Sequence, residues 1–109
     1  MTQAYLGQLL RGIVEPLLLL IIADFPIYGY EIARELERRS EGYINLTAST
    51  LYSALRRLER RGLVLSSWDQ VAKQKRRYYA LTEQGRQLLA EELGQWQSFL
   101  GATDKVLDS

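Results

Sequence analysis

Between Thr47 and Gly62 the chain reads Thr47-Ala48-Ser49-Thr50-Leu51-Tyr52-Ser53-Ala54-Leu55-Arg56-Arg57-Leu58-Glu59-Arg60-Arg61-Gly62, and its chemically active side chains fall on one side of a helix. Thr47 suits an N-cap and Gly62 a C′ position, so both ends of that helix are written into the residues. Leu51, Leu55 and Leu58 recur at i, i+4 and i+7 and mark the side that must be buried. The opposite side carries Ser49, Tyr52, Ser53, Arg56, Arg57 and Arg60: short polar groups near the N-terminus, an aromatic ring, then guanidinium groups. That set suits a helix lying in a groove of duplex DNA, where small polar residues reach base edges and arginines meet phosphates.

Composition narrows the alternatives. The 109 residues, 47% of them hydrophobic, suffice for one domain with a modest core and leave no room for a second. There is no histidine and no cysteine, which removes disulfides, thiolate or imidazole metal sites, thiol nucleophiles and imidazole bases. Glu31, Glu35 and Glu37 lie on one helix surface with no paired pocket suggested, so no enzyme activity, cofactor or metal is expected. The longest apolar run, Leu17 to Ala23, falls far short of the roughly 20 residues of a membrane span, and no secretory leader opens the chain. The expectation is a soluble cytoplasmic protein with no membrane partner, nucleoid-associated when bound to DNA.

The net charge of +1 hides a partition. Residues 47–86 hold nine basic and three acidic residues, a balance of +6, whereas the remainder carries −5. Segregation of this kind points to an anionic partner for the central segment, with a merely solvated basic face as the alternative.

Other elements must position these groups. A first helix is expected from about Leu9 to Asp24, apolar around more than half its circumference through Leu10, Ile13, Val14, Leu17, Leu18, Ile21 and Ile22. Pro16 inside it predicts either a kink or a break between an N-terminal arm and the helix proper. Asp24-Phe25-Pro26 ends the element, and a second helix runs from Tyr28 to about Ser40 with Tyr28, Ile32, Ala33 and Leu36 inward. On its outside Glu35 is placed to pair with Arg38 or Arg39. Gly42 to Leu46 is read as one brief strand. Leu63 to Asp69 and Lys75 to Leu81 form a hairpin around Gln70-Val71-Ala72-Lys73-Gln74, basic at its tip and outgoing strand. Helices followed by a basic two-stranded ribbon give the fold class: mainly α (α+β), a winged helix-turn-helix with a two-stranded wing.

Thr82 caps a last helix from Glu83 to Asp108, where Leu89, Leu93, Trp96, Leu100 and Leu107 follow at spacings of 4, 3, 4 and 7, with Thr103 in the vacant seam position. At the α-helical rise it is about 39 Å long, more than its own core can cover. The N-terminal arm offers a matching stripe at Tyr5, Leu6, Leu9, Leu10, Ile13 and Val14. The economical arrangement is a twofold homodimer, with interface residues Leu6, Leu9, Leu10, Ile13, Leu89, Leu93, Trp96, Leu100 and Leu107. The alternative is a long helix folded back on its own domain. Residues 1–81 would then be the DNA-binding domain, 1–15 its dimer-contacting arm, and 82–109 the dimerisation helix.

The blocks Leu10-Arg11-Gly12, Tyr28-Gly29-Tyr30-Glu31-Ile32, Thr50-Leu51-Tyr52 through Gly62-Leu63, and Arg76-Arg77-Tyr78-Tyr79-Ala80-Leu81-Thr82-Glu83-Gln84-Gly85 occur in the order that marks the PadR family of bacterial transcriptional regulators, which this chain resembles from about Leu9 to Leu107. The resemblance implies a homodimeric winged-helix repressor that binds an inverted repeat, often of the ATGT/ACAT type, and in many members is released by a small aromatic or cationic effector. Family DNA contacts map onto Tyr28, onto Ser49, Thr50, Tyr52 and Arg56 of the recognition helix, and onto Lys73, Lys75, Arg76 and Arg77 of the wing. Ser53 stands where the family commonly has proline, and Ser49 where it commonly has a glycine or proline.

Read as roles, Arg56, Arg57, Lys73, Lys75, Arg76 and Arg77 neutralise phosphates. Ser49, Thr50, Tyr52 and Arg56 read bases, with Ser53 on the same face. Tyr52 either meets DNA or packs against the wing, and of Tyr28 and Tyr30 one faces the core. Trp68 is expected to anchor the wing against the helices. Trp96 is either a plain interface anchor or, as multidrug-responsive members of the family imply, a stacking surface for a planar ligand. A winged-helix module that meets an acidic protein instead of DNA is the competing reading.

Overall fold

The computed structural model describes residues 3–24, 26–71 and 74–109, with side chains from Gly12 onward except at 25 and 70–74. Its order is α1 (Gln3–Asp24), β1 (Ile27–Tyr28), α2 (Gly29–Arg39), α3 (Ala48–Arg60), β2 (Val64–Val71), β3 (Gln74–Leu81) and α4 (Glu83–Asp108). The helices and hairpin follow the winged-helix expectation. The register pairs Val64 with Leu81 and continues to Val71 opposite Gln74. Among the described residues no helix is long and apolar enough to cross a membrane.

α1 runs unbroken through Pro16, beginning well before Leu9, so of the two alternatives there, a kink or a break, the break is absent. Pro16 cannot donate to the Gly12 carbonyl one turn back, but it is itself buried, and the burial of Val14, Leu18, Leu19, Ile21 and Ile22 around it holds the helix together. These side chains form the floor of a single core with Ile32 and Leu36 of α2, Leu51, Ala54, Leu55 and Leu58 of α3, and Leu63, Val64 and Tyr79 of the hairpin.

Two expectations are corrected. Gly42 to Leu46 forms no strand; its backbone is irregular, and Ser40 Oγ accepts from the Ile44 amide at 2.8 Å. The third strand is instead β1, where Ile27 and Tyr28 pair antiparallel with Tyr79 and Tyr78 to give the order β1-β3-β2. Tyr28 therefore lies in a strand, as the N-cap residue of α2, not inside that helix. The strand is set by a long-range partner, and two residues are too few to show a period of their own.

The caps behave as read. Thr47 Oγ1 accepts from the Thr50 amide at 3.1 Å, and Thr82 Oγ1 from Gly85 at 3.0 Å. At the end of α3, Gly62 takes φ +76, the Leu63 amide donates to Leu58 O and the Gly62 amide to Glu59 O, a Schellman closure that turns the chain straight into β2. There α4 comes very close: a Cβ on Gly85 would stand 2.1 Å from the Leu63 carbonyl oxygen. The Thr82 amide donates to that same oxygen at 3.1 Å, and the Thr82 hydroxyl to Gly62 O at 2.7 Å.

α4 leaves the core after Leu93. Leu89, expected in a dimer interface, belongs to the chain's own core at 7% exposure, because α4 packs there on α1 and β3. Beyond it Phe99, Leu100, Val106 and Leu107 are all more than half exposed, and the molecule is 56 Å long but only 22 Å thick. Ile13 and Trp96 are half-buried and Leu93 is packed on the rim of the core; Leu6, Leu9 and Leu10 lie in α1, their side chains outside the described ones.

Electrostatics tie helices together at two places. Glu35 is held by Arg38 and by Arg39 at 2.8 Å, which keeps its carboxyl down at about 2, and Arg39 also reaches Asp24 of α1 at 2.8 Å. Glu15 of α1 receives Arg57 Nε at 2.8 Å and Arg61 Nη1 at 3.0 Å from the far end of α3.

Two stability predictions follow from these contacts. Gly85→Ala should cost about 3 kcal/mol, because the obstacle is backbone and cannot swing aside; a urea midpoint unchanged at constant m would contradict the close approach. Glu15→Gln should cost only about 1 kcal/mol, since both guanidinium groups are about half exposed and screened. A loss several times larger would mean that the pair is the main brace between α1 and α3.

Candidate nucleic-acid interface

On α3 successive residues turn by 100°, and this rotation sorts its polar residues into three strips. Ser49, Tyr52, Ser53, Arg56 and Arg60 share the outward face, Arg57 turns toward α1, and Glu59 turns toward the wing. Arg57, read as a phosphate contact, is thus engaged by Glu15 on a different flank from Arg56. Arg56 Nη2 donates to Ser53 Oγ at 3.3 Å and stays along the outward strip. Thr50 lies in the first turn, its amide bonded to Thr47 and its hydroxyl accepting from Thr47 Oγ1 at 3.0 Å.

The hairpin is fastened beside this strip by Glu59. Its carboxylate accepts from the Ser66 hydroxyl and, at 3.5 Å, from Arg77 Nη2. Ser66, Trp68, Arg77 and Tyr79 share one sheet face, with Trp68 opposite Arg77. Near the hub that face is closed over, with Tyr79 buried and its phenol raised in pKa by that burial. Farther out the helices no longer reach it. Trp68 is consequently 64% exposed, not the core anchor expected, and the Arg77 guanidinium lies 5.4 Å from its ring centre.

The other sheet face carries an aromatic cluster. Tyr28 and Tyr78 stand 4.2 Å apart between ring centres, and the Arg76 guanidinium is 4.7 Å from the Tyr28 ring. Hydrogen bonding from Tyr78, then Arg76, lowers the Tyr28 phenol below its ordinary value, whereas the Tyr28 partnership pushes Tyr78 up to about 12. Neither Tyr28 nor Tyr30 enters the core: Tyr28 is half-buried in this cluster, and Tyr30 is exposed under Arg34.

Tyr52 has a neighbour on α2 as well. Its ring lies on the first residue of α2, where a Cβ on Gly29 would meet Tyr52 Cε1 at 2.8 Å, so the residue packs on α2 with its outer side exposed.

α2, α3 and the wing thereby enclose an open cleft of about 1160 Å³ whose walls include Tyr28, Tyr52, Trp68, Arg56, Arg60, Lys75, Arg76 and Arg77. Of the residues read as DNA contacts, Tyr28, Tyr52, Arg56, Lys75, Arg76 and Arg77 line it, Ser49, Thr50 and Ser53 lie on α3 outside its lining, and Arg57 is turned away; Lys73 falls outside the described residues. Trp68, Arg60 and Glu59 are additions. Arg60 was visible on the polar helix face, but nothing local in the sequence distinguishes an exposed wing tryptophan from a buried one. Trp96 faces a second, smaller cavity of about 230 Å³, bordered by Glu15, Pro16 and Leu19 of α1 and by Arg61. Among the described residues no cluster suited to a metal ion occurs.

Comparison with known proteins agrees with the motif blocks. The model of the transcriptional regulator PadR-like family matches residues 18–91. A PadR family transcriptional regulator from Eggerthella lenta is 33% identical, with a TM-score of 0.81, over 97% of this chain and 91% of its own. A transcriptional regulator from Clostridium thermocellum is 28% identical, with a TM-score of 0.82, over 90% of this chain and 96% of its own. Bacillus subtilis PadR, solved in complex with operator DNA, shares the fold at 22% identity and a TM-score of 0.67, over 74% of this chain and 46% of its own. With more than half of its length matched by the family and its helix, wing and cap motifs in family order, the chain belongs to the PadR-like family of transcriptional regulators, not to a family of enzymes.

Proposed function

We propose that this regulator is a homodimeric repressor that binds duplex DNA at an inverted repeat, reading it with α3 while the β2–β3 wing grips the backbone. The observation that carries the reading is the cleft, in which Arg56 and Arg60 of the outward α3 strip face Lys75, Arg76 and Arg77 from a separate element. Two basic elements far apart in sequence meet on one open side, the footprint expected for a polyanion wider than a peptide. The operator complex of Bacillus subtilis PadR supports the same use of the shared fold. Base readout falls to Ser49, Thr50, Tyr52, Ser53 and Arg56, and backbone contact to Tyr28 and the wing.

Dimerisation falls to residues 82–109 together with the N-terminal arm. Phe99, Leu100, Val106 and Leu107 leave an apolar stretch of α4 exposed beyond the core, and a twofold partner would bury it. Release by a small aromatic or cationic effector is supported by the cavity beside Trp96, whose walls include the Glu92 carboxylate, that of Glu15 being already paired with Arg57 and Arg61. No observation favours the protein-interaction alternative, which predicts equal retention of operator and scrambled duplex at moderate salt.

Two measurements test this reading. In a salt titration, Arg76→Ala with Arg77→Ala should weaken binding to all duplexes alike and reduce the slope of log affinity against log salt by about 2; altered base preference would mean that wing and reading helix are misassigned. Leu100→Glu with Leu107→Glu should give monomers in sedimentation and lose most operator affinity, since each half-site is then bound singly. A dimer that survives both charges would place the interface elsewhere.

A further inference from the structure

Trp68 is an unusual residue to leave in solvent. Its indole is 64% exposed on the cleft face of the wing, away from the core and away from the exposed end of α4. Aromatic side chains are enriched at contact surfaces relative to the rest of a protein's exterior. The surroundings say what kind of contact. Trp68 shares the cleft lining with Arg56, Arg60, Lys75 and Arg77, and the carboxylates among those walls are Glu31 and Glu59, the latter already bonded to Ser66 and Arg77.

We infer that Trp68 is a DNA-contacting residue, its indole lying against the deoxyribose of the strand that passes between the recognition helix and the wing; the inference rests on the DNA-binding reading above. A nucleic-acid strand alternates charged phosphate with apolar sugar. The cleft offers both chemistries, an exposed aromatic plate in one lining with several guanidinium groups, Arg77 lying against the plate itself. Arg77 holds one side of the plate, 5.4 Å from its centre, and its bond to Glu59 fixes it there. The arrangement is built before DNA arrives, so little side-chain freedom is lost on binding. Because the contact is apolar, it adds affinity without releasing counterions and is blind to base sequence.

The chain has two tryptophans, Trp68 and Trp96, so Trp96→Phe leaves Trp68 as the only indole reporter. Titrating that protein with a random-sequence duplex at low salt should quench or shift its emission. In the otherwise unchanged chain, Trp68→Ala should weaken binding to operator and random duplexes equally, by about five- to tenfold, with the salt slope unaltered, and Trp68→Phe should recover part of the loss. The urea midpoint of Trp68→Ala should stay near that of the parent because the ring is exposed. Emission and affinity both unmoved by a duplex that does bind would overturn the inference. So would a salt slope reduced by about 1, since Trp68 would then act only by holding Arg77. If neither protein binds any duplex, the DNA-binding reading itself falls, and this contact with it.

Discussion

The carbonyl of Leu63 is the point on which the architecture turns. It accepts from the Thr82 amide, and the α carbon of Gly85 is pressed so close above it that no side chain fits there. One residue earlier the Gly62 carbonyl accepts from the Thr82 hydroxyl, and Gly62 itself carries the left-handed turn that ends α3. α3 ends, both wing strands are anchored, and α4 begins within this cluster. Buried backbone groups must be paired, and here the pairing leaves no freedom in the relative directions of the three elements. The angle between helix and wing, and therefore the shape of the cleft, follows from this junction and from the Glu59 clamp to Ser66 farther out.

The basic surplus is spread less widely than its sequence suggests. Arg57 and Arg61 share Glu15 on α1, Arg77 is bonded to Glu59, and Arg76 stands over Tyr28. The acidic residues that accept these pairs decide which guanidinium groups are fixed in place and which stay extended toward solvent. Arg57 and Arg61 link α3 to α1, so the same helix is tied on one flank to α1 and on the other to the wing. Such exposed pairs contribute little stability singly. The roll of α3, and thus which side chains face outward, is set by the buried stripe of Leu51, Ala54, Leu55 and Leu58, and the ion pairs form on the flanks that it leaves.

Much of the fold is legible along the chain because it depends on neighbours three or four residues apart. Thr47, Gly62 and Thr82 announce helix ends through hydrogen bonds that close locally, and all three close as read. The apolar spacing of Leu51, Leu55 and Leu58 implies the buried side of α3, and the hairpin shows in two neighbouring runs rich in Val, Leu, Trp and Tyr. Residues whose surroundings are supplied from afar were misread. Ile27 and Tyr28 become a strand only because Tyr79 and Tyr78 lie beside them, whereas Gly42 to Leu46, with similar composition, finds no partner. Leu89 keeps the heptad spacing of an interface residue but sits where α4 packs on α1 and β3.

Composition and periodicity by themselves determined the class of this protein: a single helical domain with a basic hairpin, a capped basic helix and a last helix too long for its own core. Those properties depend on local hydrogen bonding and on the sum of charges, which any conformation of the chain carries. Only the tertiary structure decided which of two apolar-looking residues is buried and which arginine is free to face outward. Trp68 and Leu89 differ in exposure, and Arg56 and Arg57 in direction, because burial and pairing depend on what the distant parts of the chain place opposite each side chain.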